Sequence, residues 1–325
     1  MCVNKTRIKE KMKKNLISLV VAVMAGGMML ASCGEQTFDK SQNIFAYTRD
    51  TNSGTREGFM EKINFKDASK NDSLLNKRVQ QVSSNGDMLS ALEKQTYGIG
   101  YFSFDSKEEA EKNGVKLVNF ESVTATEDSI LDGSYKLARD FNYCVAEETD
   151  ATKKTIVEAF VAFMSTSEGL TTIKANGGVC KITTSTKSWN DIKANYAGIE
   201  DDHSTVTINF GGSTSVEKIA KALSSQFKSL AGNFNANHNH TGSGDAYKKT
   251  QGSEKGALDI GFASRGFHTT SDEPFAEGTY GKICVDGIVI GISSQNPLTN
   301  ITADQAKAIY SADDSSMNTW ADLIK

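Results

Sequence analysis

Three places in the 325-residue chain share one local pattern: a strand-like run, a turn of Gly, Ser and Thr, and the start of an amphipathic segment. The turns lie at 51–55, 211–215 and 241–245. Apolar or β-branched runs bounded by turn residues, as at 44–48, predict strands, and the apolar spacing of 216–230 predicts a helix with one buried face. Strands that alternate with helices predict an α/β fold.

The same signals, hydrophobic periodicity and capping residues, predict further helices and strands. The predicted helices are 87–94, 153–164, 167–175 and 302–310, and the predicted strands are 97–102, 205–210, 257–265 and 283–293.

The N-terminus has the composition of an export signal. Basic residues precede an apolar run, 16–30, that is too short for a comfortable permanent membrane span and ends in Leu-Ala-Ser-Cys at Cys33. This ending resembles a bacterial lipobox. We predict a lipoprotein signal peptide at 1–32, lipidation of Cys33 and a tether at 33–41. The alternative is an amphipathic or membrane-anchoring helix with an incidental cysteine.

The charge of the exported chain argues against nucleic acid as a partner. The full sequence has 36 Lys and Arg against 40 Asp and Glu. Residues 1–32 hold six of the basic residues and one acidic residue, which leaves 30 against 39 and a charge of −9. An anion would therefore be bound by local geometry rather than by the overall field.

Cysteine and histidine give no metal or redox signature. Cys144, Cys180 and Cys284 are an odd number without CxxC spacing, so we expect small buried hydrophobes, with a single disulfide as the alternative. The histidines of 237–240 are predicted to lie in a polar loop, because no third ligand has a useful spacing. No metal or cofactor is predicted.

The Gly/Ser/Thr turns carry the candidate chemistry. A turn that opens a helix presents free N–H groups at the positive end of the helix, and hydroxyls add further donors. One such turn is usually only an N-cap, but three that converge would form an anion cage. Arg49, four residues before Ser53, would add a guanidinium suited to a tetrahedral oxoanion. The alternative for Arg49 is a surface ion pair.

Residues 49–56, Arg-Asp-Thr-Asn-Ser-Gly-Thr-Arg, resemble the Arg-x-x-x-Ser-Gly-Thr motif of the substrate-binding proteins of phosphate ABC transporters. Residues 212–216 and 242–244 are similar to the two anion-binding turns of that family, and 259–265 to the segment that follows. The order differs, because the family's second half corresponds here to about 44–180 and its first half to about 205–325. The sequence resembles a circular permutant, with 190–204 as the linker joining the original termini. A fragment of a tandem array is the alternative.

The resemblance implies a type II periplasmic-binding-protein-like fold, with two α/β lobes, a hinge and a central ligand cleft. Lobe II would comprise 42–137 plus 283–325, and lobe I would comprise 138–282. Anion contacts from both lobes would be completed only when the cleft shuts. The ligand-binding residues implied are Arg49, Ser53, Gly54, Thr55, Thr214, Ser215, Ser243 and Ser264.

Two positions depart from well-known members of the family. Ser264 stands where they have an Asp that accepts a hydrogen bond from protonated phosphate, and Thr51 replaces an acidic residue that often braces the arginine. Asp50, Asp245 or Asp259 could compensate, although Asp259 is expected to cap or pack at the end of a strand.

The resulting hypothesis is a monomeric, lipid-anchored, extracytoplasmic protein that captures inorganic phosphate for an ABC importer and docks on its permease subunits. One alternative keeps the fold but makes the chain a sensor or scavenger of phosphate or another tetrahedral oxoanion. A remote alternative is a hydrolase with Ser53 or Ser243 as nucleophile. No histidine lies near either serine in a credible arrangement, so no enzymatic activity is predicted.

Overall fold

The computed structural model describes residues 37–148 and 150–324, which form one compact unit from Asp39 onward. The predicted signal peptide and Cys33 lie outside the described residues. The strands are β1 Phe45–Arg49, β2 Gln80–Val82, β3 Gly98–Ser103, β4 Val115–Phe120, β5 Ala138–Val145, β6 Thr207–Gly212, β7 Asn235–His240, β8 Ile260–Ala263, β9 Tyr280–Ser293 and β10 Asn300–Ile301.

The α-helices lie between these strands, as the α/β prediction requires. They are α1 Gly54–Lys62, α2 Asn85–Lys94, α3 Lys107–Lys112, α4 Glu127–Leu131, α5 Ala151–Phe163, α6 Ser167–Ala175, α7 Trp189–Ile192, α8 Glu217–Lys228, α9 Gly244–Thr250, α10 Ala303–Tyr310 and α11 Trp320–Leu323. Most begin at a Ser, Thr or Asp N-cap. In α10, Thr302 and Gln305 form a reciprocal capping box.

The sheet runs in the order β2-β1-β3-β9-β5-β8-β6-β7, with β4 paired to both β9 and β10. The 14-residue strand β9 connects the two parts of the sheet. Its residues 280–287 pair with β5, and its residues 288–293 pair with β3 and β4. We call the part with β1–β4 and β10 the β1 half, and the part with β5–β8 the β6 half.

Each half has its own apolar core. In the β6 half, α8 buries Ile219, Leu223 and Phe227 on one face, the spacing expected for an amphipathic helix packed on a sheet. In the β1 half, the ring of Phe59 stacks on Tyr101 at 3.9 Å between ring centroids. The predicted lobe boundaries at 137/138 and 282/283 stay a prediction; β5 begins at Ala138, and β9 changes partner after Gly287.

Two segments can be compared with the sequence expectations. The prediction of a loop at 237–240 is wrong, because these residues belong to the edge strand β7, which pairs in parallel with β6. Its alternation of Asn and His is a period of two, with the histidines on the more buried face. The 190–204 segment, predicted as a linker, contains the end of α7 and a 3₁₀ turn at Lys193–Asn195, and its role as a linker stays a prediction.

The cysteine prediction is confirmed. Cys144, Cys180 and Cys284 are buried and free, so the alternative of a disulfide among them does not hold. Within the described part of the chain, no helix is long and apolar enough to cross a membrane.

Candidate functional site

Arg49, at the end of β1, is a buried cation with neutral hydrogen-bond partners. Its side chain is 1% exposed. Nη2 donates to the Ser83 carbonyl at 2.7 Å and to Thr214 Oγ1 at 3.0 Å, and Nη1 donates to Asn85 Oδ1 at 3.3 Å. The carboxylate of Asp50 is 3.9 Å from Nη2. The buried Nε has no hydrogen-bond partner among the described residues.

The electrostatic state of Arg49 follows from this environment. Burial lowers the pKa of its guanidinium, although an arginine side chain stays protonated at physiological pH. The nearest carboxylate, Asp50, is 3.9 Å from Nη2 and 34% exposed, so it compensates only part of the cost of desolvating the guanidinium, which is several kcal/mol in real proteins. The side chain is therefore poised to bind an anion.

Buried hydroxyls from both halves of the molecule form a cluster beside the turn that carries Thr214. Ser213 Oγ donates to Ser264 Oγ at 2.9 Å, and Ser264 Oγ is 3.1 Å from Ser243 Oγ. The Ser264 N–H donates to Ser243 Oγ at 3.0 Å. Across the boundary, Thr55 Oγ1 of the β1 half hydrogen-bonds to Ser215 Oγ of the β6 half at 2.8 Å. Hydroxyls both donate and accept, so the cluster can bind a partly protonated oxoanion.

Helix starts and glycine bring the two halves into contact. Ser53 is the N-cap of α1 and accepts the Arg56 N–H. A Cβ atom on Gly54 would lie 2.3 Å from Ser243 Oγ, so a larger residue does not fit between the halves without a shift. The Gly244 N–H, at the start of α9, donates to the Asn52 carbonyl at 3.3 Å. The structure therefore has the halves closed on each other.

The eight predicted binding residues are all at this boundary. The structure brings together Arg49, Gly54, Thr55, Thr214, Ser215, Ser243 and Ser264, and Ser53 directly precedes Gly54 with its side chain capping α1. Of these, Thr214 is the residue of the β6 half that contacts the guanidinium directly. That they bind a ligand stays a prediction.

Sequence reasoning missed three participants. Asn85 Oδ1 accepts a hydrogen bond from Arg49 Nη1, and Asn85 Nδ2 donates one to Ser215 Oγ at 3.4 Å. Ser213 extends the hydroxyl cluster, and the Ser83 carbonyl binds Nη2. The predicted helix began at 87, whereas α2 begins at Asn85, which is the second residue of a Ser-Asn-Gly-Asp capping sequence. That capping signal could have found Asn85.

The acids considered as substitutes for the missing Asp are engaged elsewhere. Asp245 pairs with Lys249 at 2.9 Å, on α9. Asp259 accepts from Lys153 Nζ at 2.7 Å, which agrees with the expected role at a strand end. Asp50 is near Arg49 but caps its own turn by accepting the Asn52 N–H. Among the residues the structure describes, no group of His, Cys, Asp and Glu could hold a metal ion.

Comparisons with known proteins agree with this architecture. A family model described as a PBP superfamily domain matches residues 199–324. A crystal structure of a phosphate ABC transporter, phosphate-binding protein from Streptococcus pneumoniae superimposes with a TM-score of 0.63 and 24% identity, over 87% of this chain and 100% of that one. The chain has the periplasmic-binding-protein fold. The two-lobe α/β prediction is thereby confirmed.

Curated relatives extend the similarity over nearly the whole chain. Phosphate-binding protein PstS 2 of Streptococcus agalactiae is 25% identical over 321 residues, which is 97% of this chain and 100% of the relative. The protein of the same name from Streptococcus pneumoniae is 27% identical over 322 residues, with the same coverage. These matches confirm that the chain is similar to substrate-binding proteins of phosphate transporters.

Proposed function

We propose that this chain binds inorganic phosphate between the two halves of its sheet and delivers it to an ABC importer. The observation that carries the proposal is Arg49, a buried guanidinium with neutral acceptors and an unpaired Nε, which contacts the Thr214 hydroxyl next to a cluster of buried seryl and threonyl hydroxyls. The names of the relatives that cover the chain support phosphate as the anion.

The chemistry of the hydroxyl cluster suits a tetrahedral oxoanion. An oxoanion offers several acceptor oxygens, which fit donors from Arg49, Ser215 and the N-terminus of α1. A protonated phosphate oxygen also donates one hydrogen bond, and Ser264 or Ser243 can accept it by rotating its hydroxyl. A hydroxyl does not repel fully ionised sulfate as a carboxylate does, so the preference for phosphate over sulfate rests on hydrogen bonding alone.

Ligand binding would be coupled to closure of the two halves. Arg49 and Thr55 belong to the β1 half, whereas Thr214, Ser243 and Ser264 belong to the β6 half. An anion that contacts both groups favours the closed arrangement over an open one by its differential affinity. Closure is the signal by which a binding protein would present itself to permease subunits.

A role in binding rather than hydrolysis agrees with the side chains near the serines. Activation of a nucleophilic serine requires a positioned base. Among the described residues, the hydrogen bonds of Ser53 and Ser243 run to main-chain groups and to the Ser264 hydroxyl, with no histidine or carboxylate. We therefore propose a transporter component without catalytic activity.

The proposal extends to an extracytoplasmic location, with the chain held to a membrane by lipid on Cys33 and working as a monomer. It also includes a circularly permuted order. The segment near the C-terminus lies beside the start of the folded unit, where the Ile44 N–H donates to the Asn318 carbonyl at 2.9 Å and Trp320 N–H to the Gln42 carbonyl at 3.1 Å. Proximity of this kind is what permutation requires.

Calorimetric titration tests the proposed ligand. The soluble chain that starts after Cys33 is freed of carried-over phosphate and titrated with phosphate and then with sulfate at pH 6 and pH 8. We expect one phosphate per chain and weaker sulfate binding. A folded chain that binds neither anion would contradict the assignment, and tight sulfate binding with no phosphate response would assign a different oxoanion.

A further inference from the structure

Two histidines of the edge strand β7 form a hydrogen-bonded chain that ends at the anion-site turn. His240 Nδ1 is 3.0 Å from the carbonyl oxygen of Ser213, and His240 Nε2 is 3.2 Å from His238 Nδ1. His238 Nε2 is in turn 2.9 Å from the hydroxyl of Ser224 on α8. The chain thus links a helix, an edge strand and the turn that carries Thr214.

The directions of these hydrogen bonds follow from the first contact. A carbonyl oxygen only accepts, so His240 Nδ1 must carry a proton and donate to Ser213. In a neutral His240 the Nε2 is then an acceptor, which requires His238 to donate from Nδ1. A neutral His238 must in turn accept at Nε2 from the Ser224 hydroxyl, so this hydroxyl gives its one proton to His238 at 2.9 Å rather than to the Lys221 carbonyl at 3.1 Å. With both rings neutral, the Nδ1–H tautomer is the one that satisfies all four ring nitrogens.

The rings are also fixed by stacking. His238 stacks on Phe210 at 4.8 Å and 12°, and His240 lies 5.4 Å from His238 at 16° and 6.1 Å from Phe262 at 18°. Burial lowers the pKa of His238 to about 4 and also lowers that of His240, so both rings are neutral at pH 7. The charged side chains that act on the pair are Glu217 and Lys221 of α8.

The peptide bond at Ser213 transmits this geometry to the anion site. A trans peptide is planar, so the carbonyl of residue 213 and the N–H of residue 214 point in opposite directions. The carbonyl is held by His240 and by the Val216 N–H at 3.3 Å. The N–H of Thr214 is therefore turned away from His240, and the hydroxyl of the same residue accepts from Arg49 at 3.0 Å.

We propose that His238 and His240 are positioning residues that fix the direction of the Thr214 N–H for an anion bound beside Arg49. The inference rests on the proposed function for its ligand. The hydrogen-bonded chain from Ser224 through His238 and His240 to Ser213, which we call the relay, is a property of the protein alone. Loss of the Nδ1 donor leaves the carbonyl held only by the longer bond from the Val216 N–H, so the peptide can tilt and misdirect one N–H donor. Loss of one net hydrogen bond weakens binding by about three- to tenfold.

The test compares two substitutions at one position. His240→Asn keeps an N–H donor close to the place of Nδ1, whereas His240→Leu removes it. His203→Leu is the matched control, because His203 Nδ1 contacts the Ala231 carbonyl at 3.3 Å in a loop of the same half. In calorimetric titration with inorganic phosphate at pH 7, we expect His240→Leu to bind about three- to tenfold more weakly, and the other two variants to stay within about twofold of the parent.

Nitrogen-15 NMR of the parent chain supplies a readout that does not depend on ligand. We expect both rings of the pair as the Nδ1–H tautomer at pH 7. The Nε2–H tautomer at His240, or equal phosphate affinity of the Leu and Asn variants, would overturn the relay. If the parent binds no phosphate while the Nδ1–H tautomer is present, the proposed function fails and the hydrogen-bonded relay stands without its ligand.

Discussion

Replacing Arg49 by methionine separates a binding role from a structural role. The variant removes a guanidinium with three neutral acceptors and one unpaired nitrogen. Hydrogen bonds between charged groups contribute about 1.5–3 kcal/mol each, so two bonds from Arg49 to a bound anion correspond to at least about 3 kcal/mol. Phosphate affinity should therefore fall by roughly 150-fold or more at 25 °C.

Arg56→Met is the matched control for this experiment. Arg56 is equally buried, but it donates to the carbonyls of Arg49 and Ala68 and pairs with Asp72 at 2.7 Å. Arg56→Met leaves the Arg49 and Ala68 carbonyls without this buried donor, at a cost of about 1–3 kcal/mol each, whereas Asp72 is 54% exposed and stays hydrated. In denaturant unfolding of the ligand-free chains, Arg56→Met should lose the sum of these two costs. Arg49→Met should lose only about 1 kcal/mol, because the loss of its hydrogen bonds is offset by relief of the guanidinium's desolvation, which Asp50 at 3.9 Å compensates only in part.

The assay pairs calorimetric titration with urea unfolding in phosphate-free buffer. For Arg49→Met we expect a large loss of phosphate affinity and a small loss of stability. For Arg56→Met we expect a large loss of stability and a small loss of phosphate affinity. Unchanged phosphate affinity in Arg49→Met would refute the reasoning, as would a loss of stability equal to that of the control.

Three further predictions rest on other contacts. Gly54→Ala places a Cβ atom 2.3 Å from Ser243 Oγ, so it should hinder closure of the two halves and weaken phosphate binding at least about tenfold. Small-angle scattering should show a more open shape, and unchanged scattering and affinity would contradict this prediction. Burial and the neighbouring Asp286 raise the pKa of Asp105 to about 7, so the folded chain holds this proton more tightly than the unfolded chain. Stability should then fall as pH rises from about 4 to 7, and Asp105→Asn should flatten that fall in unfolding curves. Cys33→Ala should release the protein from the membrane fraction, and retention there would count against lipidation.

Local patterns were enough to predict most elements and the Gly/Ser/Thr turns, because the relevant signals are local. The Gly/Ser/Thr turns contain their own caps and donors, so 51–55 and 211–215 could be assigned from the sequence. The meeting of Thr55 with Ser215, or of Gly54 with Ser243, joins residues about 160 or more positions apart. That pairing came only through resemblance to a family.

The edge strand β7 shows why the remaining part could not be predicted. Asn and His have low strand propensity, and the segment 235–240 has no bulky apolar residue. Its extended form depends on six paired positions with β6 and on stacking of His238 against Phe210. Tertiary pairing therefore overrides residue propensity, and the one short-range signal of the strand is the period-two alternation of its residues.

The buried charge of Arg49 gives a physical reason for coupling between ligand and closure. In the closed arrangement without an anion, the guanidinium is desolvated among neutral acceptors, a cost of several kcal/mol that an open cleft avoids by hydration. A bound phosphate removes that cost and adds contacts from Thr214 and Ser243. If the difference is about 3 kcal/mol, it shifts the open–closed equilibrium by roughly 150-fold. Arg49→Met should therefore close more readily without ligand than the parent chain, even though it binds phosphate far more weakly.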